Sequence, residues 1–126
     1  MGDFNYRSLI VWQKSSDFVK RVYGLVKLFP AEEKYALCDQ VRRAVISVPS
    51  NIAEGAGRAG NRDYGHFLAI ARGSLFETMA QLELAKGLNY ITDEELKSVE
   101  PLAGEISRML TTLIKKIGRA SCRERV

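Results

Sequence analysis

Apolar residues recur along this chain with the period of an α-helix, and no segment shows the alternation that a strand would give. Between about Ser8 and Phe29, the residues Trp12, Ser16, Val19, Tyr23 and Val26 repeat at steps of four and three, which puts them on one helical face. A second row, Val11, Phe18 and Leu25 with Val22 and Phe29 beside it, recurs every seven residues on another side. Two stripes on one helix imply burial on two sides. The first stripe is read as core. The second, joined by Val45 and Ile46 from the next helix, is read as an oligomer interface.

The next helix is expected to start at Pro30 or Ala31, where a missing N–H costs nothing, with Glu32 and Glu33 at its positive end. Its seam is Leu37, Val41, Ala44, Val48 and Asn51, with Cys38, Val45 and Ile52 as a second row. Pro49 removes one internal hydrogen bond, yet the seam keeps phase across it, so the helix continues with a kink. Gly55, Gly57 and Gly60 end it. A third helix runs from Asn61 to about Lys86 on Tyr64, Phe67, Leu68, Ala71, Leu75, Thr78, Leu82 and Ala85, with Gly73-Ser74 as a patch open to close approach. Thr92 and Glu95 form a capping box for a fourth, whose seam runs from Leu96 to Ile117 and which bends or breaks near Glu100-Pro101. The fold class is all-α, an antiparallel up-down four-helix bundle.

Little in this pattern points to chemistry. Gly55-Ala56-Gly57-Arg58-Ala59-Gly60 satisfies G-x-G-x-x-G, but a helix precedes it where a dinucleotide site needs a strand. A left-handed helix cap and a tight turn explain these glycines. His66 has no second ligand at metal spacing and reads as a partly exposed helix residue, and Cys38 reads as a packed thiol. No catalytic residue, metal site or cofactor is expected, and the chain is not expected to be an enzyme. Asn51, Glu54, Ser74 and Glu77 repeat one spacing on the second and third helices. They are expected to meet as a buried polar network that fixes register and answers groups freed at Pro49; a carboxylate metal site is the lesser alternative.

The formal charge of +4 hints at an acidic partner. However, Ile117–Val126 resembles one reading frame of a sequencing adaptor. Residues 1–116 are therefore expected to be the bundle domain, and 117–126 a read-through tail. Its three Arg and one Glu carry +2 of the charge, leaving +2. Arg42, Arg43, Arg58 and Arg62, with Arg72 nearby, remain the candidate phosphate contacts, although Asp39, Glu54, Asp63 and Glu77 are interspersed among them. With no apolar run of about 20 residues and no secretory leader, a cytoplasmic chain without a membrane segment is expected.

Several segments carry a resemblance: Leu9-x-Val11-Trp12-Gln13, Phe29-Pro30, Gln40-Val41-Arg42-Arg43-Ala44, Val48-Pro49-Ser50-Asn51-Ile52-Ala53-Glu54-Gly55, Phe67-Leu68-x-Ile70-Ala71-x-Gly73-Ser74 and Glu77. From about Phe4 to Lys116 the chain resembles the bacterial four-helix-bundle family named for proteins encoded in 23S ribosomal RNA intervening sequences. The resemblance implies a homopentameric ring and no demonstrated enzyme activity. It also implies kinship with the accessory protein of diversity-generating retroelements, a basic pentamer that binds a reverse transcriptase and nucleic acid. Expected partners are thus further copies of the chain, RNA or DNA, and a reverse-transcriptase-like protein. The function expected is association with structured RNA or an RNA-bound protein, the alternative being a protein-interaction scaffold that binds no nucleic acid.

Overall fold

The computed structural model describes residues 5–124, with side chains over residues 5–119. A 3-10 turn at Asn5–Ser8 leads into α1 (Ile10–Val26). A second 3-10 turn at Ala31–Glu33 precedes α2 (Leu37–Ala56); α3 (Asn61–Gly87), the short α4 (Asp93–Lys97) and α5 (Glu100–Glu124) follow. No strand occurs among the described residues. Each long helix packs against two neighbours in the order α1, α2, α3, α5 and back to α1, which is the antiparallel four-helix bundle.

The bounds of three helices differ from expectation. α2 begins at Leu37, six residues after Ala31, because Ala36 departs from helical geometry and Glu33 is engaged elsewhere. The Glu33 carboxylate accepts the Tyr90 hydroxyl at 2.6 Å and the Leu37 N–H at 3.3 Å, tying the start of α2 to the α3–α4 connection. At the far end, α5 stays helical through Glu124, so no break marks Ile117. Cys122 lies outside the described side chains. α1, expected over about Ser8 to Phe29, is shorter at both ends, because a 3-10 turn precedes it and the chain turns after Val26 ahead of Pro30. α2 passes through Pro49 uninterrupted. The capping box of α4 has both its bonds, Glu95 N–H to Thr92 Oγ1 at 3.0 Å and Thr92 N–H to Glu95 Oε1 at 2.8 Å. Pro101 falls in the first turn of α5, where it disturbs nothing. Asn89, in the left-handed region at φ 65°, ends α3, with Tyr90 N–H reaching back to the Ala85 carbonyl at 2.9 Å.

The core overturns the reading of α1. Phe18 and Val45 are fully buried, Val11 is 2 % exposed and Leu25 8 %. These four residues line the interior of a single chain and form no oligomer face; of the five expected there, only Ile46 reaches the surface. The reason is geometric. A bundle helix faces two neighbours at once, so its apolar arc is broad. The row through Phe18 is the centre of that arc, while Trp12, Val19 and Tyr23 are its half-buried edge. Phe18, Ile52, Leu68, Leu75, Leu82, Leu96, Ile106 and Leu110 fill the interior along its length, each contributing roughly 1.5–3 kcal/mol by burial.

Candidate functional site

The polar group predicted across α2 and α3 is present only in part. Ser74, buried, donates to Ser47 Oγ at 2.8 Å, and Asn51 Nδ2 donates to both the Ser47 carbonyl and its Oγ at 2.8 Å. Thr78 extends the cluster by donating to the Ser74 carbonyl at 2.8 Å. This Ser47–Ser74 contact fixes the antiparallel register of α2 and α3. The two carboxylates are elsewhere. Glu54 is exposed and pairs with Arg58 at 2.8 Å; Glu77 is exposed and receives Gln81 Nε2 at 3.4 Å. Neither joins the interior, because each lies on the solvent side of its helix. The carbonyl that Asn51 takes is Ser47's, not the Val45 carbonyl that Pro49 leaves free. Among the described residues, no group of three or more His, Cys, Asp and Glu converges as a metal site would require.

The glycine motif is a packing device. No described glycine has a positive φ, so the expected left-handed cap is absent, and α2 closes through Gly57 in ordinary helical geometry. Gly55 is instead a point of tight packing between α2 and α3. A Cβ there would stand 3.0 Å from Phe67 Cβ and 3.2 Å from the Tyr64 carbonyl oxygen. Tyr64 is half-buried in this contact, and burial raises the pKa of its hydroxyl. His66 is exposed beside Phe67, and Cys38 is buried as a free thiol.

The four candidate arginines are not brought together. Arg42 and Arg43 sit near the start of α2, separated from its last residue by roughly 20 Å of helix axis. Arg43 pairs with Asp39 at 3.2 Å, and Arg42 points to the Lys34 carbonyl at 3.4 Å. Arg58 and Arg62 flank the α2–α3 turn at the opposite end. Arg58 stacks over the Phe67 ring at 4.9 Å in addition to pairing with Glu54. Arg72 is further along α3 and donates to Thr111 Oγ1 at 3.3 Å.

What joins Arg58 and Arg62 comes from the far end of the sequence. A Cβ on Gly65 would lie 3.7 Å from Ile117, which places the last turns of α5 beside the first turns of α3. Lys115, Lys116 and Arg119 therefore share an end of the bundle with Arg58 and Arg62, and Arg7 enters at the same end on the first 3-10 turn. Among the described residues, Arg62, Lys115, Lys116 and Arg119 have no carboxylate partner. A search confined to neighbours in sequence misses this set. The signal that finds it is topological: in an up-down bundle, the start of the third long helix must meet the end of the fourth.

At the opposite end Arg43, Lys86 and Lys97 are held in ion pairs, while Arg42 meets the Lys34 carbonyl and Lys34 lies over the Tyr35 ring. Asp93 holds Lys97 at 2.8 Å and Lys86 at 3.5 Å, and Lys86 also meets Glu83 at 3.2 Å. These contacts raise the pKa of both lysines, and the Lys97 hydrogen bond lowers that of Asp93. The Glu33 hydrogen bond pushes the Tyr90 phenol up to about 12.

One further surface stands out. The outer side of α3 carries Ala69, Gly73, Phe76, Ala80 and Leu84, exposed at steps of three and four, with Phe76 57 % and Leu84 62 % accessible. α3 is thus apolar on opposite sides, and nothing lies within 4 Å of where a Gly73 side chain would begin.

These features define a class: an antiparallel four-helix bundle with a charged polarity along its axis and an apolar outer helix face. The sequence profile of the 23S rRNA-intervening sequence protein family matches residues 7–112, and the chain belongs to that family. It is similar to a crystal structure of a protein of unknown function from the S23 ribosomal protein family of Bacteroides thetaiotaomicron VPI-5482. The two are 32 % identical with a TM-score of 0.77, over 84 % of this chain and 99 % of that one. No curated protein matches. No helix among the described residues is long and apolar enough to cross a membrane.

Proposed function

We propose that this protein is a non-enzymatic, self-assembling helical bundle of the cytoplasm that associates with structured RNA through the basic end formed by Arg58, Arg62, Lys115 and Lys116. The observation that supports it is that Arg62, Lys115 and Lys116, beside Arg58, converge at one end with no carboxylate partner among the described residues, whereas Arg43, Lys86 and Lys97 at the other end are each paired. Unpaired cations exchange their counter-ions for phosphates and gain from the release of condensed ions. The test is binding of the nucleic-acid-free protein to a structured RNA as salt rises from about 50 to about 200 mM, over which a multi-phosphate contact weakens by at least tenfold. No binding at the lower salt overturns the reading.

Self-assembly rests on α3. An apolar stripe of this kind on a soluble chain marks an interaction surface. A contact of this face with a different face of the next copy closes a ring, and the family resemblance implies five members. Light scattering at micromolar concentration then gives a pentamer, and Phe76→Glu splits it; a monomeric wild type removes the proposal. The same stripe favours a second reading, a scaffold for a protein partner without RNA. A pull-down that enriches one protein and is indifferent to nuclease selects that reading.

A further inference from the structure

α1 has 17 residues, about 25 Å of axis, whereas its neighbour α5 has 25, about 38 Å. The chain before α1 does not prolong it. It forms the 3-10 turn at Asn5–Ser8, which packs on α2 and sets Tyr6 edge-on to Trp12. The side of α5 that α1 would otherwise cover is left open as a groove of about 530 Å³, within the range of small-molecule sites. Leu9, Val11, Met109 and Leu113 wall it, and Arg108 and Lys116 also line it, the Arg108 guanidinium lying back against Gly104.

Among the described residues, the charge lining this groove has one sign. Neither Arg108 nor Lys116 has a carboxylate partner among the described residues, and Glu105, one turn before Arg108, is held by Lys14 at 3.0 Å. The start of α1 adds to the same sign. Its N-cap is Leu9, whose side chain accepts nothing, and its first turn has no acidic residue, so the positive end of the helix dipole is unanswered. The Ser8 hydroxyl, which would otherwise serve, donates to the Asn5 carbonyl at 2.8 Å. Aliphatic walls reward an apolar body; two free cations and a bare helix start reward a negative head. Among the described residues the walls carry no aromatic ring on which a base would stack, so an alkyl body fits them better than a nucleotide, and Lys116 is the one residue shared with the RNA contact proposed above.

We infer that the groove binds a single-chain amphipathic anion, an alkyl carboxylate of medium length. Its tail lies between Val11 and Met109–Leu113, and its head meets Arg108, Lys116 and the first turn of α1. The test uses hexanoate, octanoate, decanoate and decanol on the full chain freed of nucleic acid, with methyl-13C methionine as reporter. The sequence has three methionines, and Met109 is the one in the groove. The Met109 signal, assigned with Met109→Leu, shifts saturably with decanoate. Each methylene buried tightens binding by up to about fourfold, so decanoate exceeds hexanoate by at least tenfold. Decanol binds at least tenfold more weakly than decanoate, and the double variant Arg108→Gln/Lys116→Gln erases that difference. Leu113→Trp fills the groove and abolishes the shift; should that variant fail to fold, the double variant, which touches no core residue, still decides. An unmoved Met109 signal at millimolar decanoate, or equal binding of acid and alcohol by the wild type, overturns the inference.

Discussion

The two ends of this bundle are built on different principles. At the α3–α4 end, hydrogen bonds and ion pairs close the structure on itself: the Thr92–Glu95 box, the Tyr90–Glu33 bond, the Phe29–Tyr90 ring contact at 5.6 Å and the Asp93 pairs with Lys86 and Lys97. At the α2–α3 end, helices meet through a glycine, α1 stops short, and most of the cations face outward without carboxylate partners. One end draws Arg43, Lys86 and Lys97 into internal ion pairs. The other leaves Arg62, Lys115 and Lys116 without carboxylate partners among the described residues, and the difference teaches that the asymmetry of this fold lies in how its two ends hold their charge.

The largest effects should ignore this difference, because the core runs through both ends. Ile52→Ala near the glycine turn and Leu96→Ala under α4 each remove a side chain that is at most 2 % exposed. Each is expected to cost about 2–5 kcal/mol in chemical denaturation. If the glycine end loses far less than the α4 end, that end is not part of the cooperative core. Binding should separate the ends cleanly. Arg58→Glu/Arg62→Glu is expected to weaken RNA binding about a hundredfold at low salt, and Arg42→Glu/Arg43→Glu no more than about threefold. Equal losses would mean that the field of the whole molecule, and not one end, attracts the nucleic acid.

Much of this architecture was legible in the sequence. The helical periods, the capping box of Thr92 and Glu95, the interruption just before Glu100-Pro101 and the continuity through Pro49 are local features, written in neighbouring residues. Which of two apolar rows on α1 is central was not legible, since periodicity gives relative angles and the neighbours set the centre. Nor was the fate of Glu54 and Glu77, whose spacing matches Asn51 and Ser74 but whose side chains fall on the solvent side. The basic end was hidden for a different reason. Arg62 and Lys115 are far apart in sequence, and only the folded topology makes them neighbours.

Smaller effects sharpen the contrast in how each end is closed. Gly55→Ala puts a methyl group against the Tyr64 backbone and Phe67 at 3.0–3.2 Å, which forces α2 and α3 apart. Overpacking of this kind costs about 1–3 kcal/mol, offset by the roughly 1 kcal/mol that alanine gains in a helix. Gly60, with open space around it at the N-cap of α3, behaves oppositely, and Gly60→Ser stabilises by a few tenths of a kcal/mol. A neutral Gly55→Ala would show that the two helices yield freely there. At the other end, Thr92→Ala removes the acceptor for Glu95 N–H and costs about 1 kcal/mol by thermal or urea unfolding.

The smallest effect is a pH dependence that belongs to the closed end alone. The Tyr90 phenol donates to Glu33 and is held up to about 12, above the ordinary value of a tyrosine near 10. Its proton is bound more tightly in the folded chain than in the unfolded one. The stability it contributes is therefore complete below about pH 10 and is lost as pH rises through about 12. Asp93 supplies the acidic counterpart: its carboxyl, drawn down chiefly by Lys97, contributes stability above the usual carboxylate range that is lost as pH falls through its lowered value. Tyr90→Phe keeps the ring against Phe29 and deletes only the hydroxyl, so it should flatten the fall in stability between pH 10 and 12 while leaving the acidic limb unchanged. RNA binding near neutral pH should not respond to it. An alkaline limb that survives Tyr90→Phe would place its origin in the lysines, whose pairs with Asp93 and Glu83 are the other groups of this end that lose a proton there.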